Sequence, residues 1–373
     1  PSVTNALAVI QSYSPWRPSA GVTESGLTIK DLENSDLTYE KKHELNIGAD
    51  LGFLDNRINL TVDWYKRDNF DLIGRVMTQG IGGQIQKYGN VATMKSRGIE
   101  FSLSTKNIKT KDFSWTTDFI YSHMKNEVTK FNTSTRAFNL VSGIGFSREG
   151  YPVNSLFSYD FRGLNEDGVP TFINEAGVLT STDINFQETE RFDNLVYSGP
   201  SEPTDVGSFG NIFQYKGLRL NVFITYSFGN VVRLDPVFSS IYNDLDAMPR
   251  EFRNRWMTPG DERYTDVPAI VSSRQVRNDS KLSYAYNAYN YSTARIAKGD
   301  FIRMKEISLT YDFPKRWIKK LRMSNLALKI QATNLFLIYA DKKLNGQDPE
   351  FFNSGGVATP VPKQFTLTLK IGL

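Results

Sequence analysis

The last ten residues, Gln364-Phe-Thr-Leu-Thr-Leu-Lys-Ile-Gly-Leu373, decide the fold. Phe365, Leu367, Leu369, Ile371 and Leu373 alternate with Gln364, Thr366, Thr368, Lys370 and Gly372. A period of two is that of a strand with one apolar and one polar face. The same alternation runs through Leu218, Leu220, Val222, Ile224 and Tyr226, and through Leu45, Ile47, Ala49 and Leu51. It recurs in Ile58, Leu60, Val62 and Trp64, in Ile99, Phe101 and Leu103, in Phe113, Trp115, Phe119 and Tyr121, and in Leu326, Leu328 and Ile330. Two weaker stretches join them. Phe301 to Tyr311 alternates in its second half, and the segment before the tight turn Tyr215-Lys216-Gly217 supplies a further strand. The sum is about nine strands.

The connections carry more information than the strands. Short turns at 52–57, 106–112, 215–217 and 314–324 alternate with long polar loops at about 67–97, 122–205, 229–298 and 335–363. Transmembrane β-barrels have this asymmetry, with short periplasmic turns and long extracellular loops. With the C-terminal strand ending in the periplasm, Trp64, Tyr121 and Tyr226 fall near the outer rim and Phe113, Trp115 and Tyr311 near the inner rim. Amphipathic rings favour both water–lipid boundaries. A soluble β-sandwich also alternates, but it has no need of long loops on one side only. The reading is therefore all-β: a transmembrane antiparallel up-and-down β-barrel.

Nine strands with two open edges would leave unpaired backbone groups in hydrocarbon, at several kcal/mol each. Bacterial single-chain barrels close with an even number of strands. The chain is thus expected to be the C-terminal part of a larger barrel. Pro1 opens it without Met or a charged, apolar leader, so either processing removed one or the chain begins mid-protein, and the strand count favours the second.

Composition removes several alternatives. No run reaches the ~18 apolar residues of a membrane helix. Forty-four basic against 40 acidic side chains give a net charge of only +4, too dispersed for a nucleic-acid footprint. There is no cysteine, and His43 and His123 are the only histidines, so disulfides, thiolate chemistry, zinc sites and His relays have almost no material. Phosphate-loop, H-E-x-x-H and G-x-S-x-G motifs are missing. No catalytic, cofactor or metal site is expected, and the chain reads as a non-enzyme. Asn165-Glu-Asp-Gly168 lacks the ligand spacing of a calcium loop and reads as a polar turn.

Longer motifs carry a resemblance. Gly299-Asp-Phe-Ile-Arg-Met-Lys-Glu-Ile-Ser-Leu-Thr-Tyr-Asp-Phe-Pro314 resembles the GDF-x-R-x-K-x-I-x-L-x-Y-x-x-P stretch of SusC/RagA-family TonB-dependent outer-membrane transporters. Asn46-Ile-Gly to Trp64-Tyr-Lys66, with its turn Phe53-Leu-Asp-Asn-Arg57, is similar to that family's N-I-G…F-x-N-R…Y-x-K hairpin. Arg255-Trp-Met-Thr-Pro-Gly-Asp261 with Asp266-Val-Pro268 resembles its R-W-x-x-P-G-D…I-P loop, and Asn334-Leu-Phe336, Asp348-Pro-Glu350 and the closing strand follow in order. Leu373 stands where the family ends on an aromatic residue.

The resemblance implies TonB-dependent active import of oligomeric nutrients, glycan or peptide, across the outer membrane of a Bacteroidota-type cell. It implies a SusD-like surface lipoprotein as lid, and a barrel of 22 strands of which these are the last nine. A plug and first barrel half would lie outside this chain, and through them the contact with the TonB complex. The remaining partner is outer-membrane lipid. A surface adhesive or structural barrel without transport, or a passive porin, is the alternative.

Loops on a rigid scaffold carry recognition. Gly150 to Arg162 mixes aromatics with amides and charges, so Tyr151, Asn154, Tyr159, Asp160 and Arg162 are candidates for substrate or lid contact, as are Tyr242, Asp244, Arg250 and Trp256. Asp50, Asp63, Glu100 and Asp118 are expected to face the lumen. The basic run 315–322 reads either as a solvated turn or as an amphipathic segment whose Trp317, Ile318 and Leu321 dip into the inner leaflet.

Overall fold

The computed structural model describes residues 9–13, 26–31, 33–80, 85–143, 148–237, 250–320, 323–352 and 360–372. Nine strands form one antiparallel sheet, each paired with its neighbour in sequence. They are β1 (Lys41–Phe53), β2 (Ile58–Met77), β3 (Gln86–Lys109), β4 (Phe113–Phe131), β5 (Asp205–Tyr215), β6 (Leu218–Phe228), β7 (Phe301–Asp312), β8 (Asn325–Ala340) and β9 (Gln364–Gly372). The sheet is an open up-and-down wall with β1 and β9 at its edges.

Register fixes the two faces. Ile47 is opposite Trp64, Trp64 opposite Ile99, and Ile99 opposite His123. Tyr121, Gly207 and Tyr226 align across β4 to β6, and Leu220, Leu309, Ile330 and Leu367 across β6 to β9. At the lower rim Phe113, Tyr215, Leu218 and Tyr311 stand in one row. The apolar faces of all nine strands therefore coincide. Phe209, Leu309 and Ile330 on this face are 41%, 39% and 53% exposed. Leaving such side chains in water forfeits about 1.5–3 kcal/mol each, a loss that hydrocarbon contact removes. The opposite face is polar. Thr61 donates to Asp50 (2.6 Å) and Ser104 to Asp118 (2.7 Å), while Asn221 and Lys329 reach Glu306 at 3.3 and 3.8 Å.

One polar cluster breaks the outward band. Trp115 Nε1 and Thr117 Oγ1 both donate to Asn211 Oδ1, at 2.9 and 2.8 Å, and Asn107 Nδ2 donates to Thr117 at 2.7 Å. Polar groups at membrane depth must find partners within the protein, and these do.

The sequence places loop boundaries too close to the membrane. The stretch read as a loop at 67–97 is mostly ladder, since β2 runs to Met77 and β3 starts at Gln86. β4 and β8 likewise continue to Phe131 and Ala340. Above the bilayer both faces of a strand are wet or covered by loops, so the period of two vanishes while the backbone hydrogen bonds persist. The segments beyond are also not bare loops. A four-stranded sheet of Leu195–Pro200, Ser155–Leu164, Pro170–Ile173 and Leu179–Thr180 packs with the helices Ala137–Ser142 and Leu282–Asn290 into a cap above the wall.

The basic run forms the short helix Lys315–Lys320. Ile318 is buried in the protein, so it does not dip into the leaflet; Trp317 is exposed beside Phe313, and Leu321 lies outside the described residues. Leu373 also lies outside them.

Candidate functional site

The cap is built on aromatic burial. Phe157, Tyr159, Phe172, Leu140, Val141, Leu195 and Tyr289 form its core. Alternate residues of Ser155–Leu164 supply two of these rings, with Phe161 packed alongside. Three arginines brace this region, Arg295 and Arg303 buried and Arg233 half-buried, and of these only Arg303 stands on a wall strand. Arg295 Nη1 meets Glu251 Oε1 at 2.6 Å. Arg233 donates to the Phe157 carbonyl at 2.7 Å, and burial lowers its pKa to about 10. Arg303 on β7 is paired with Asp348 and, at 3.0 Å, with Glu350.

The residues singled out in the sequence take different roles. Tyr151 is half-buried, packed edge-on to Phe157 at 5.0 Å and beside Tyr197 at 4.9 Å, with Arg148 over its ring. Asn154 sits at φ 58°, donates to Glu202 at 2.9 Å, and accepts from Ser201 through its carbonyl. Tyr159 is 1% exposed, so the structure places its ring in the core and not on a contact surface. An alternating Tyr-x-Phe stretch reads as surface only when its partner sheet is unseen. Burial holds the Tyr159 hydroxyl well above the usual phenol range.

Asp160 and Arg162 pair with each other at 2.5 Å, leaving the Arg162 side chain largely exposed. Arg250 is exposed at the start of the turn Arg250–Asn254. Trp256 lies over Gly168, where a Cβ would come within 2.5 Å of the indole, and donates to Glu262 at 3.2 Å. Tyr242 and Asp244 lie outside the described residues. Asn165-Glu-Asp-Gly168 is a turn, with Asn165 Oδ1 accepting from Asp167 and Val169.

The R-W-x-x-P-G-D loop is held by its acids. Asp261 accepts from the Met257 and Thr258 amides, both at 3.0 Å, and these bonds keep its carboxyl below the usual range. Glu262, held by its own amide and by the Gly260 amide, is lowered in the same way.

Sequence reasoning missed a run of rings at the cap surface. Phe186 touches Phe138 at 6.5 Å and Tyr284 at 6.2 Å, and its other side meets the core at Tyr159, 5.3 Å away. Phe138 and Tyr284 are exposed. Beside them Arg136 donates to Gln187 at 2.9 Å. These rings come from three distant segments with no periodic signal, so only the folded cap brings them together. On the lumen side of the wall, Asp63 stands directly opposite Glu100.

A wall that is apolar outside and polar inside, ringed by aromatics and capped at one end only, is an outer-membrane β-barrel wall. Residues 8–335 match the family described as TonB dependent receptor-like, beta-barrel, and the chain belongs to that family of receptors and transporters. It is 26% identical over 344 residues to TonB-dependent receptor P3 of Formosa agariphila, covering 87% of this chain and 32% of that protein. It is 27% identical over 357 residues to TonB-dependent receptor SusC of Bacteroides thetaiotaomicron, covering 91% and 32%. The chain thus spans about a third of the length of the curated relatives it matches. Among solved structures, the RagAB peptide transporter superposes with a TM-score of 0.74 at 23% identity over 99% of this chain and 39% of that one, which shows a shared fold.

Proposed function

We propose that these nine strands and their cap are the C-terminal wall of a TonB-dependent importer. It would take up oligomeric nutrients, glycan or peptide, with a SusD-like lipoprotein as lid. The plug, the remaining strands and the contact with the TonB complex belong to sequence outside this chain. The observation that carries this reading is the pairing of a polar lumen wall with a packed aromatic cap, the wall itself being joined to the segments above it by the buried Arg303–Asp348 pair. A passive pore gains nothing from a cap of this kind. Rings such as Phe138 and Tyr284 suit sugar faces and peptide side chains alike, and Arg162 and Arg250 are further exposed cations of the loop segments.

Deleting the whole gene and following uptake of labelled oligosaccharides and oligopeptides tests the reading. Uptake of one class should disappear in the deletion, and in wild-type cells it should stop when the inner-membrane proton gradient is collapsed. Uptake that persists in the deletion, or that ignores the gradient, contradicts it. Mild-detergent purification of the full-length protein should bring down a surface lipoprotein.

A further inference from the structure

A row of cations lies on the outward face of the wall, one outward step above the upper aromatic girdle. Lys66 on β2 is opposite Arg97 on β3, and Arg97 is opposite Lys125 on β4. Trp64, Ile99 and His123 form the row beneath. Lys95, opposite both Asp68 and Glu127, stands above. Trp64, Lys66, Lys95, Arg97, Lys125 and Glu127 line a cleft of about 390 Å³, and all six are exposed. β1 flanks the cleft on one side through Leu45, opposite Lys66, while β5 ends one step lower, at Asp205 opposite His123.

Of the four cations only Lys66 has an ion-pair partner. Lys66 approaches Asp68 at 3.9 Å. Among the described residues Lys95, Arg97 and Lys125 have no ion-pair partner within 4.0 Å. Like charges directly opposite on neighbouring strands repel, so the row costs stability unless an anion fills it.

Depth identifies the anion. From Phe113 to His123 on β4 there are ten steps of about 3.4 Å, and at a tilt of about 40° these rise about 26 Å, the height of the apolar band of such barrels. The cations therefore stand at the level of the outer-leaflet headgroups. The outward row that closes the apolar band at the lower rim is Phe113, Tyr215, Leu218 and Tyr311.

We infer that this cleft is a binding site for the phosphorylated headgroup of an outer-leaflet glycolipid. The Arg97 fork and the Lys66 and Lys125 ammoniums meet its phosphate oxygens, and the Trp64 ring lies where sugar gives way to acyl chain. The lipid then offsets the repulsion along β2–β4 and fixes the barrel's height in the membrane.

The test uses the full-length transporter in nanodiscs doped with bis-phosphorylated lipid A, with bound lipid counted by native mass spectrometry. Wild type should retain one lipid A. The triple variant Lys66→Gln, Arg97→Gln, Lys125→Gln should lose it by at least about tenfold. The lower-rim variant Lys109→Gln, Lys111→Gln should keep it. Dephosphorylated lipid A should fail to bind wild type, an arm that stands even if the triple variant does not fold. Millimolar pyrophosphate should leave the lipid in place. Equal retention by the triple variant, equal binding of dephosphorylated lipid, or displacement by pyrophosphate would each overturn the assignment. None of these readouts involves uptake, so they stand or fall apart from the import reading.

Discussion

Arg303, near the upper end of β7, is ion-paired with Asp348, 45 residues on, in the turn Pro349–Phe351 that Asp348 caps through the Glu350 amide. The two side chains are 5% and 8% exposed. Two sequence motifs that look independent, GDF-x-R and D-P-E, are thus the halves of one junction between the wall and the 341–352 segment above it.

Removing one partner strands a buried charge, which costs about 3 kcal/mol or more. Asp348→Ala in the full-length protein should make residues 341–352 protease-sensitive while the barrel keeps its heat-modifiable gel mobility. In an Arg303→Met background the same change should cost markedly less. Equal losses in both backgrounds would mean that the pair is not coupled.

Tyr159 offers a sharper separation of structural and ligand roles. Its hydroxyl is buried without a hydrogen-bond partner. Tyr159→Phe removes an unsatisfied polar group, so the unfolding free energy should stay level or rise by about 1 kcal/mol, with uptake unchanged. A fall in uptake at unchanged stability would restore Tyr159 as a ligand contact.

Acid should loosen the 255–268 loop. The Asp261 carboxyl, held by the Met257 and Thr258 amides, titrates below its ordinary value of 3.8. A lowered folded-state pKa contributes stability that is complete above the ordinary carboxylate range and lost as pH falls through the folded value. The Trp256 resonance of protein labelled with 5-fluorotryptophan should therefore stay constant down to that range and shift only below it. In Asp261→Ala it should already hold the shifted position at neutral pH.

Gly98 is required by a neighbour, not by its own backbone. A Cβ there would meet the Tyr65 hydroxyl and Cζ at 2.5 Å, since the Tyr65 ring covers it from β2, and the His123 carbonyl oxygen at 2.7 Å. Gly98→Ala should cost about 1–3 kcal/mol as overpacking, and Tyr65→Ala in the same chain should relieve only the part due to the ring, the His123 carbonyl remaining in the way. Chemical denaturation in lipid vesicles reads both.

All nine wall strands were legible in the sequence because lipid and lumen impose opposite demands on successive residues. Even β5, placed only by the turn after it, falls where expected. The strand ends above the membrane were not legible: Asn69 to Met77 and Gln86 to Met94 pair in a ladder whose faces are no longer sorted by solvent. The cap was harder still. Tyr159, Phe172 and Tyr289 converge from three segments, and no local pattern announces which rings go inside. Motif residues such as Arg303, Asp261 and Trp256 were found as letters, while their partners emerged only from the fold.

The central claim is that alternate residues of each strand face lipid and an enclosed polar lumen. The chain contains no cysteine, so single cysteines report cleanly. Labels at Leu103, Phe119 and Leu220 should be quenched by brominated acyl chains and shielded from a charged thiol reagent, with the reverse at Ser102, Thr116 and Asn221. Quenching by lipid on both faces, or aqueous access to both, would contradict the account.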